Sequence, residues 1–401
     1  MTGGLRALRA DASAQAVATG VTAALLGYAS SIAVVVAGLV AVGASPRQLA
    51  SGLLALAIAM AVTGVGLSWA TRMPVAAVWS TPGLALLATV GPVDGGFPAV
   101  LGGCALAGLL VVLTGLVRPV TRALRRLPPA LTSAVLAGVL LPFCLAPASS
   151  VAELPLQAGT VVLAWLLALR FAPSYAAPAA LLALVVVVVL GGSAPVAAGT
   201  PLLPRLEVVL PVLTLEAVTA VALPLYLVTM AAQNLVGIAV LTSYGFRPPV
   251  GRLLVGTGAA SLAVAPLGAP TLNLAAITGA LTAGPTAHAD PARRWVASVA
   301  GGVTYLALGA LAPLTAGLIA STDPRLVATA AGLGLFGSFT GATATAVQDT
   351  ATRVPAAITL VVTASGVTAL GLGAAPLGLA AGLVALLVLR PAAPRPAGQA
   401  D

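Results

Sequence analysis

Long apolar runs alternate with short polar breaks from one end of the chain to the other. A helix needs about 20 apolar residues to cross a bilayer. The pattern predicts fourteen segments on this basis. Seven come first, at 16–43, 48–70, 74–91, 97–117, 130–147, 155–172 and 176–192. A Pro/Gly-containing linker follows at 193–213. Seven more lie at 214–241, 250–266, 268–284, 294–316, 325–344, 354–371 and 374–389. Seven is odd, so the second half enters the membrane from the opposite face. The expected fold class is an all-α polytopic membrane protein with 14 transmembrane segments. It forms a 7+7 inverted repeat of 1–192 and 214–401. Internal likeness is weak but falls at matching places: Pro92 closes LLATVGP in the third segment as Pro285 closes ALTAGP in the tenth.

The third and tenth segments break the pattern. Met73–Trp79 is too short for a helix across half a bilayer, but an extended chain rises about 3.3 Å per residue and covers that depth. Ser80-Thr81-Pro82-Gly83 then reads as a helix start: a hydroxyl cap, then a proline whose missing N–H is harmless in the first turn. From the end of the ninth segment into the tenth, Pro266, Gly268 and Pro270 interrupt the apolar run, and Asn273 is expected at the start of a second half-helix. Broken backbone at membrane depth survives only where it is buried or lines a wet cavity. Helix starts carry unpaired N–H groups and about half a positive charge. Two of them aimed inward from opposite faces make an anion site. The backbone near Ser80, Thr81 and Gly83 is the candidate on one side, and Asn273, Leu274 and Ala275 on the other.

Polar side chains inside apolar runs add candidates. Tyr226, Met230, Gln233 and Gly237 follow helical spacing and share a face. Gln233 and Asn234 serve either as ligand contacts or as interhelical hydrogen bonds worth about 0.6–2 kcal/mol each. Tyr28, beside Ser30 and Ser31 in the first segment, needs a hydroxyl partner at depth.

Composition agrees with the pattern. Hydrophobic residues make up 60% of the chain and charged residues 7%, with mean hydropathy +1.11. A soluble domain carries about a quarter charged residues. The surplus apolar surface implies a lipid bilayer as the main partner. The net charge of +9 raises nucleic acid as a partner, but all 18 basic residues are arginines spread through the loops. With both termini cytoplasmic, only Arg47, Arg205 and Arg325 fall outside, which is the positive-inside bias. No nucleic acid is needed to explain the charge. Cys104 and Cys144 read as buried apolar residues. Acidic residues map to loops or segment ends, Glu216 and Asp349 being nearest the interior, so no cation cage is expected. His288, the only histidine, falls in a loop. No metal, cofactor or enzyme motif appears.

The stretches YLVTMAAQNLVGIAVL and APLGAPTLNLAAITGALTAGPTAHADPARRW closely resemble the benzoate–proton symporter (BenE) family of bacterial inner-membrane permeases. The resemblance runs the full length. It implies import of benzoate or a similar aromatic carboxylate together with a proton. By wider analogy it implies the uracil permease and SulP architecture. There a core (16–117 plus 214–316) moves against a gate (130–192 plus 325–389) by alternating access. Nucleobase transporters carry carboxylates in segments eight and ten. Here Gln233 and the apolar neighbours of Asn273 stand in those places, which suits an anionic substrate. Tyr28 and Gln233 would line the site, and Met230 and Leu274 would meet the ring. A homodimer is compatible with this architecture. Transport of another organic or inorganic anion, or passive anion flow, remains an open alternative.

Overall fold

The computed structural model describes residues 8–117, 119, 128–191, 204–367, 369 and 373–389. Residues 193–203 of the expected linker lie outside them, as do the last residues of the thirteenth segment. The first half contains α1 (Ala14–Ala41), α2 (Pro46–Thr71), β1 (Ala77–Trp79), α3 (Thr81–Val90) and α4 (Gly96–Leu116). It continues with α5 (Pro129–Glu153), α6 (Pro155–Phe171) and α7 (Ala176–Leu190). The second half opens with α8 (Ala217–Ser243) and α9 (Val250–Val264). Then come β2 (Leu272–Leu274), α10 (Ile277–Ala283), α11 (Trp295–Gly309), α12 (Ala312–Ala320), α13 (Pro324–Gln348), α14 (Arg353–Ala364) and α15 (Ala374–Val388).

Among the described residues, eight helices are long and apolar enough to cross a membrane, or nine if a bent pair counts as one. The protein is therefore a multi-pass helical membrane protein. Length alone does not reach fourteen crossings, because helices such as α3, α14 and α15 are short. The side chains turned outward agree with a lipid surround: Leu156 is 84% exposed and Leu190 82% exposed. Apolar surface of that kind marks a membrane contact rather than a wet face.

Local chemistry sets the helix ends. Before α2, the Ser45 N–H donates to Gln48 Oε1 at 2.9 Å and the Gln48 N–H donates to Ser45 Oγ at 3.3 Å, a reciprocal cap. The eleventh segment was expected to run unbroken over 294–316. Instead the helix from Pro291 to Gly309 meets α12 at a 57° bend. Pro313 sits in the first turn of α12 and disfavours helical backbone just before it. α8 contains two π-helical turns, Ala217–Ala222 and Met230–Asn234.

Packing separates into two groups. α11 lies against α1 and α2, and α9 against α4. α13 lies along α5, α14 touches both α5 and α15, and α6 pairs with α7. Contacts of α1 with α13 and of α3 with α5 join the groups. Glycine makes the α4–α9 approach close: a Cβ on Gly258 would meet Gly108 O at 2.7 Å, and one on Gly251 would meet Gly115 O at 2.7 Å. Small residues at helix crossings are the usual membrane solution. The linker residues 204–213 rejoin the first group through Glu207 N–H donating to Ser51 Oγ (2.8 Å) and Val212 N–H to Pro98 O (3.0 Å).

The loop after α10 is tied down by a buried cation. Arg294 is 6% exposed. Its guanidinium donates to Ala283 O (2.9 Å), His288 O (2.7 Å) and Ala289 O (3.2 Å). Ala283 ends α10, so the charge also complements the negative end of that helix. The start of the chain closes over the same loop. Gln15 and Thr19 both donate to Thr286 O at 3.0 Å, and Trp295 Nε1 donates to Asp11 Oδ2 at 2.9 Å. Replacing Arg294 with Met leaves the buried Ala283 carbonyl without its donor and is expected to remove about 2–4 kcal/mol of stability. Lys, which keeps the charge but not the fork, should recover part of the loss. Melting of the purified variants in detergent checks both values.

Candidate functional site

β1 and β2 pair antiparallel, with Ala77 opposite Leu274, Val78 opposite Asn273 and Trp79 opposite Leu272. The ladder extends at both ends: the Ala275 N–H donates to Ala76 O (2.8 Å) and the Ser80 N–H to Thr271 O (3.0 Å). The two broken segments therefore cross and bond to each other. Antiparallel pairing turns the N–H groups of alternate residues inward and those of the rest outward. On β2 the outward donors are Leu272 and Leu274. The Leu272 N–H meets Ser261 Oγ of α9 at 2.8 Å, and the Leu274 N–H meets Asn234 Oδ1 of α8 at 2.9 Å. Neighbouring helices thus satisfy the open edge that lipid cannot.

Ser80 caps α3 as its sequence predicts: its Oγ accepts from the Gly83 N–H at 3.2 Å and lies 2.9 Å from Thr229 Oγ1 of α8. The tenth segment differs from expectation. Asn273 does not open a half-helix. It sits in mid-strand, and α10 begins only at Ile277, without a side-chain cap. The ladder with β1 claims the backbone around Asn273 before a helix can. This changes which donors are available. The N–H groups of Gly83, Leu274 and Ala275 are already used. In the first turns, those of Thr81, Ile277 and Thr278 have no partner among the described residues.

The other expected residues divide clearly. Asn273 is fully buried; its Nδ2 donates to Leu274 O at 2.9 Å, while its Oδ1 has no partner. Gln233 is half-buried, and its amide makes no hydrogen bond among the described residues. Asn234, one residue on, is fully buried and used twice, since its Nδ2 also reaches Met230 Sδ at 3.4 Å. Met230 itself packs with Val111 and Leu254, and Leu274 packs with Met73 and Ile238. Neither offers open surface. Tyr28 stacks tilted on Trp79, with ring centroids 5.5 Å apart, and its hydroxyl shares a hydrogen bond with Thr315 Oγ1 at 3.2 Å. Trp79 Nε1 in turn donates to Ser31 Oγ at 2.9 Å. The structure therefore gathers Ser80, Thr81, Gly83, Asn273, Leu274 and Ala275 around one crossing, with α8 alongside. Sequence reasoning missed Thr229 and Ser261. Their only signal was a hydroxyl within an apolar run.

Two crossed, broken segments flanked by helices define the fold of this multi-pass membrane protein. Solved structures place it. The transmembrane domain of the cyanobacterial bicarbonate transporter BicA aligns with a TM-score of 0.55 at 17% identity, covering 89% of this chain and 97% of that one. The murine Solute Carrier 26 family member A9 anion transporter, in its inward-facing state, aligns with a TM-score of 0.53 at 11% identity, covering 90% and 68%. Sequence gives the family. Residues 10–388 match the BenE model, described as benzoate membrane transport protein. The inner membrane protein YdcO of Escherichia coli (strain K12) is 36% identical over 372 residues, covering 92% of this chain and 94% of that protein. The benzoate membrane transport protein of Acinetobacter baylyi is 31% identical over 393 residues, covering 97% and 98%. The chain belongs to the BenE family of membrane transporters.

The neighbouring amides have separable roles. Asn234→Leu keeps the volume but strands the buried Leu274 N–H, and is expected to remove about 1–3 kcal/mol of stability. Gln233→Leu breaks no internal bond among the described residues and should change stability by less than about 0.5 kcal/mol. Thermal melting of the two variants in detergent checks the assignment, and a reversed order would exchange the roles.

Proposed function

We propose that this protein is a secondary transporter of the bacterial inner membrane that imports benzoate or a similar aromatic carboxylate with a proton. The observation that carries this reading is the crossing of β1 and β2, from whose opposite ends α3 and α10 start, so that two helix starts flank one buried ribbon. The carboxylate would take the free N–H of Thr81 at the end shaped by Ser80 and Gly83, or those of Ile277 and Thr278 at the end reached through Asn273, Leu274 and Ala275. Charge-assisted hydrogen bonds to backbone N–H are among the stronger ones available. The free amide of Gln233 and the ring of Tyr28 would complete the polar wall. A small apolar hollow lies one residue back along α8, lined by Ala231 and Ala232 of α8, Val135 and Leu136 of α5 and Leu379 of α15. Membership of the BenE family and the name of the Acinetobacter baylyi relative support the substrate class.

The packing groups support a core of 16–117 plus 214–316 and a gate of 130–192 plus 325–389, alternating access by moving against each other. A seven-plus-seven inverted repeat would place the two broken segments as antiparallel partners. Both termini would be cytoplasmic, on the distribution of arginines. Inward movement of an anion opposes a negative-inside potential by about 2.3 kcal/mol per charge per 100 mV. One co-transported proton cancels that opposition. A second reading is transport of a different anion, favoured by the fold likeness to bicarbonate and anion transporters.

Labelled benzoate uptake into proteoliposomes tests the proposal. An inward-directed proton gradient should drive accumulation, and a protonophore should abolish it. Asn273→Leu and Gln233→Leu should each lower the initial rate by about tenfold, the loss of one polar contact of roughly 1.4 kcal/mol. Normal accumulation by both variants would show the site to be elsewhere. Flux without accumulation would identify a passive channel.

A further inference from the structure

The two packing groups meet along α1 and α13, and the meeting is lopsided. A Cβ on Gly334 of α13 would strike the Ser30 carbonyl of α1, so the helices touch near their midpoints. One face of α13 carries Val327, Ala330, Gly334, Ser338, Gly341 and Thr345 at helical spacing. Before the touching point this face is shut, with Val327 and Ala330 buried. Beyond it the face opens: Ser338 is half-buried, and Gly341 and Thr345 are exposed. A Cβ on Gly341 would meet nothing within 4 Å. α1 shows the same division in the opposite order. On one of its faces Ala18, Thr22 and Leu25 are exposed and Ala29 is half-buried, whereas Ile32 and Val36 further along are buried.

In the fourteen-segment order proposed above, α1 and α13 run antiparallel. The shut halves of the two helices then lie side by side, and so do the open halves. Ile32 and Val36 share one apolar cluster with Ala330, which seals the shut side. The open side reaches the broken segments. A Cβ on Gly27 would meet Thr278 Cγ2 at 2.8 Å, which sets the start of α10 level with the inner end of the gap. Ile277, the first residue of α10, is 72% exposed there. The α13 wall is chemically unlike a lipid face. It presents glycine and hydroxyls, whereas α15 turns Val384, Leu387 and Val388 outward. Thr345 donates back to Gly341 O at 3.0 Å, but the Ser338 hydroxyl has no partner among the described residues.

We propose that the gap between α1 and α13 is the cytoplasmic passage of the transport path, open in this structure, with Ser338 and Gly341 as its gate-side wall. The passage presupposes the transporter reading above and adds the residues that a leaving carboxylate meets. The arginine distribution puts the start of α1 and the end of α13 in the cytoplasm, so the open halves face that side. Ser338 stands one turn beyond the touching point, about 6 Å at 1.5 Å per residue, and offers its hydroxyl to a carboxylate. Gly341, nearer the exit, leaves room for a ring. In the alternate state the seal around Ile32, Val36 and Ala330 parts, and the open halves close on each other.

Cysteine reactivity tests this. Cys104 and Cys144 are buried, so the parent protein supplies the background. Gly341→Cys, Thr345→Cys and Ala330→Cys are treated with a charged, membrane-impermeant methanethiosulfonate reagent. One arm exposes the cytoplasmic face in inside-out vesicles and the other the outer face in right-side-out vesicles. Gly341→Cys and Thr345→Cys should react about tenfold or more faster from the cytoplasmic face, and Ala330→Cys should react about tenfold or more slowly than either from that face. Benzoate should slow the reaction at Gly341→Cys, and the modified protein should lose benzoate uptake. Thr345→Cys gives the same accessibility readout if Gly341→Cys does not fold. Modification of Gly341→Cys and Thr345→Cys from the outer face alone would overturn the proposal. So would reaction with a lipid-soluble maleimide alone, which would place this face against acyl chains. Labelling needs no substrate. Cytoplasmic labelling in a parent protein that does not take up benzoate would therefore uphold the passage and overturn the substrate reading instead.

Discussion

Two segments of this chain give up helical hydrogen bonding where lipid cannot replace it, and much of the surrounding structure answers that constraint. β1 and β2 bond to each other, and their ladder runs on through Ala76–Ala275 and Ser80–Thr271. Ser261 and Asn234 then take the outward donors of β2. Such service requires close approach. At Gly237 a Cβ would stand 2.7 Å from Leu274 Cβ and 3.1 Å from the Leu274 carbonyl, so only glycine lets α8 lie this near the strand. The π-helical turn at Met230–Asn234 helps in a different way. Its extra residue lets Thr229 reach Ser80 while Asn234 reaches Leu274, two contacts that regular helical spacing would turn apart.

Much of this was legible in the sequence, for identifiable reasons. Apolar run length located the helices, and Ser80-Thr81-Pro82 announced the start of α3, because caps act over a few residues and leave a local signature. The start of α10 was not legible. Asn273 looked like a cap but became a strand residue, since its backbone partner, Val78, lies far away in the chain. The bend after Gly309 carried a proline signal at Pro313 that run length alone outweighed. The π-helical turn left no periodic trace, so the stripe of Tyr226, Met230, Gln233 and Gly237 promised one continuous face. Tyr226 and Met230 do face α4 and α9 together, Tyr226 reaching Thr114 (2.6 Å) and Met230 packing on Val111 and Leu254, but Gly237 meets Leu274 of β2 instead.

The pair Gln233-Asn234 shows why a polar residue in an apolar helix is ambiguous from sequence. Both amides fit either role. Asn234 is the structural one, because a shorter side chain suffices when the helix backbone already touches the strand. Gln233 projects from a different side and keeps its amide free among the described residues. That leaves it available to a ligand, without adding a negative charge beside an anion.

The same bonds constrain how such a protein can move. β2 is fastened to α8 and α9, and α10 is held at its far end by Arg294. β1 is fastened to β2, and Trp79 to α1. Breaking any of these during transport would leave a buried polar group unpaired, at about 1–3 kcal/mol or more per group. Under alternating access, the crossing and its helices must therefore travel as one body. The cheaper surface to shear is the one between packing groups, where α1 meets α13 and α3 meets α5. Apolar side chains dominate there: Leu326, Ala330 and Leu333 of α13 and Val135 and Val139 of α5 belong to the same cluster as Ile32 of α1 and Leu84 of α3. Sliding one apolar face over another exchanges dispersion contacts without stranding a hydrogen bond. In the alternating access we propose, a site at the edge of that body would face each side of the membrane in turn while its own geometry stays fixed.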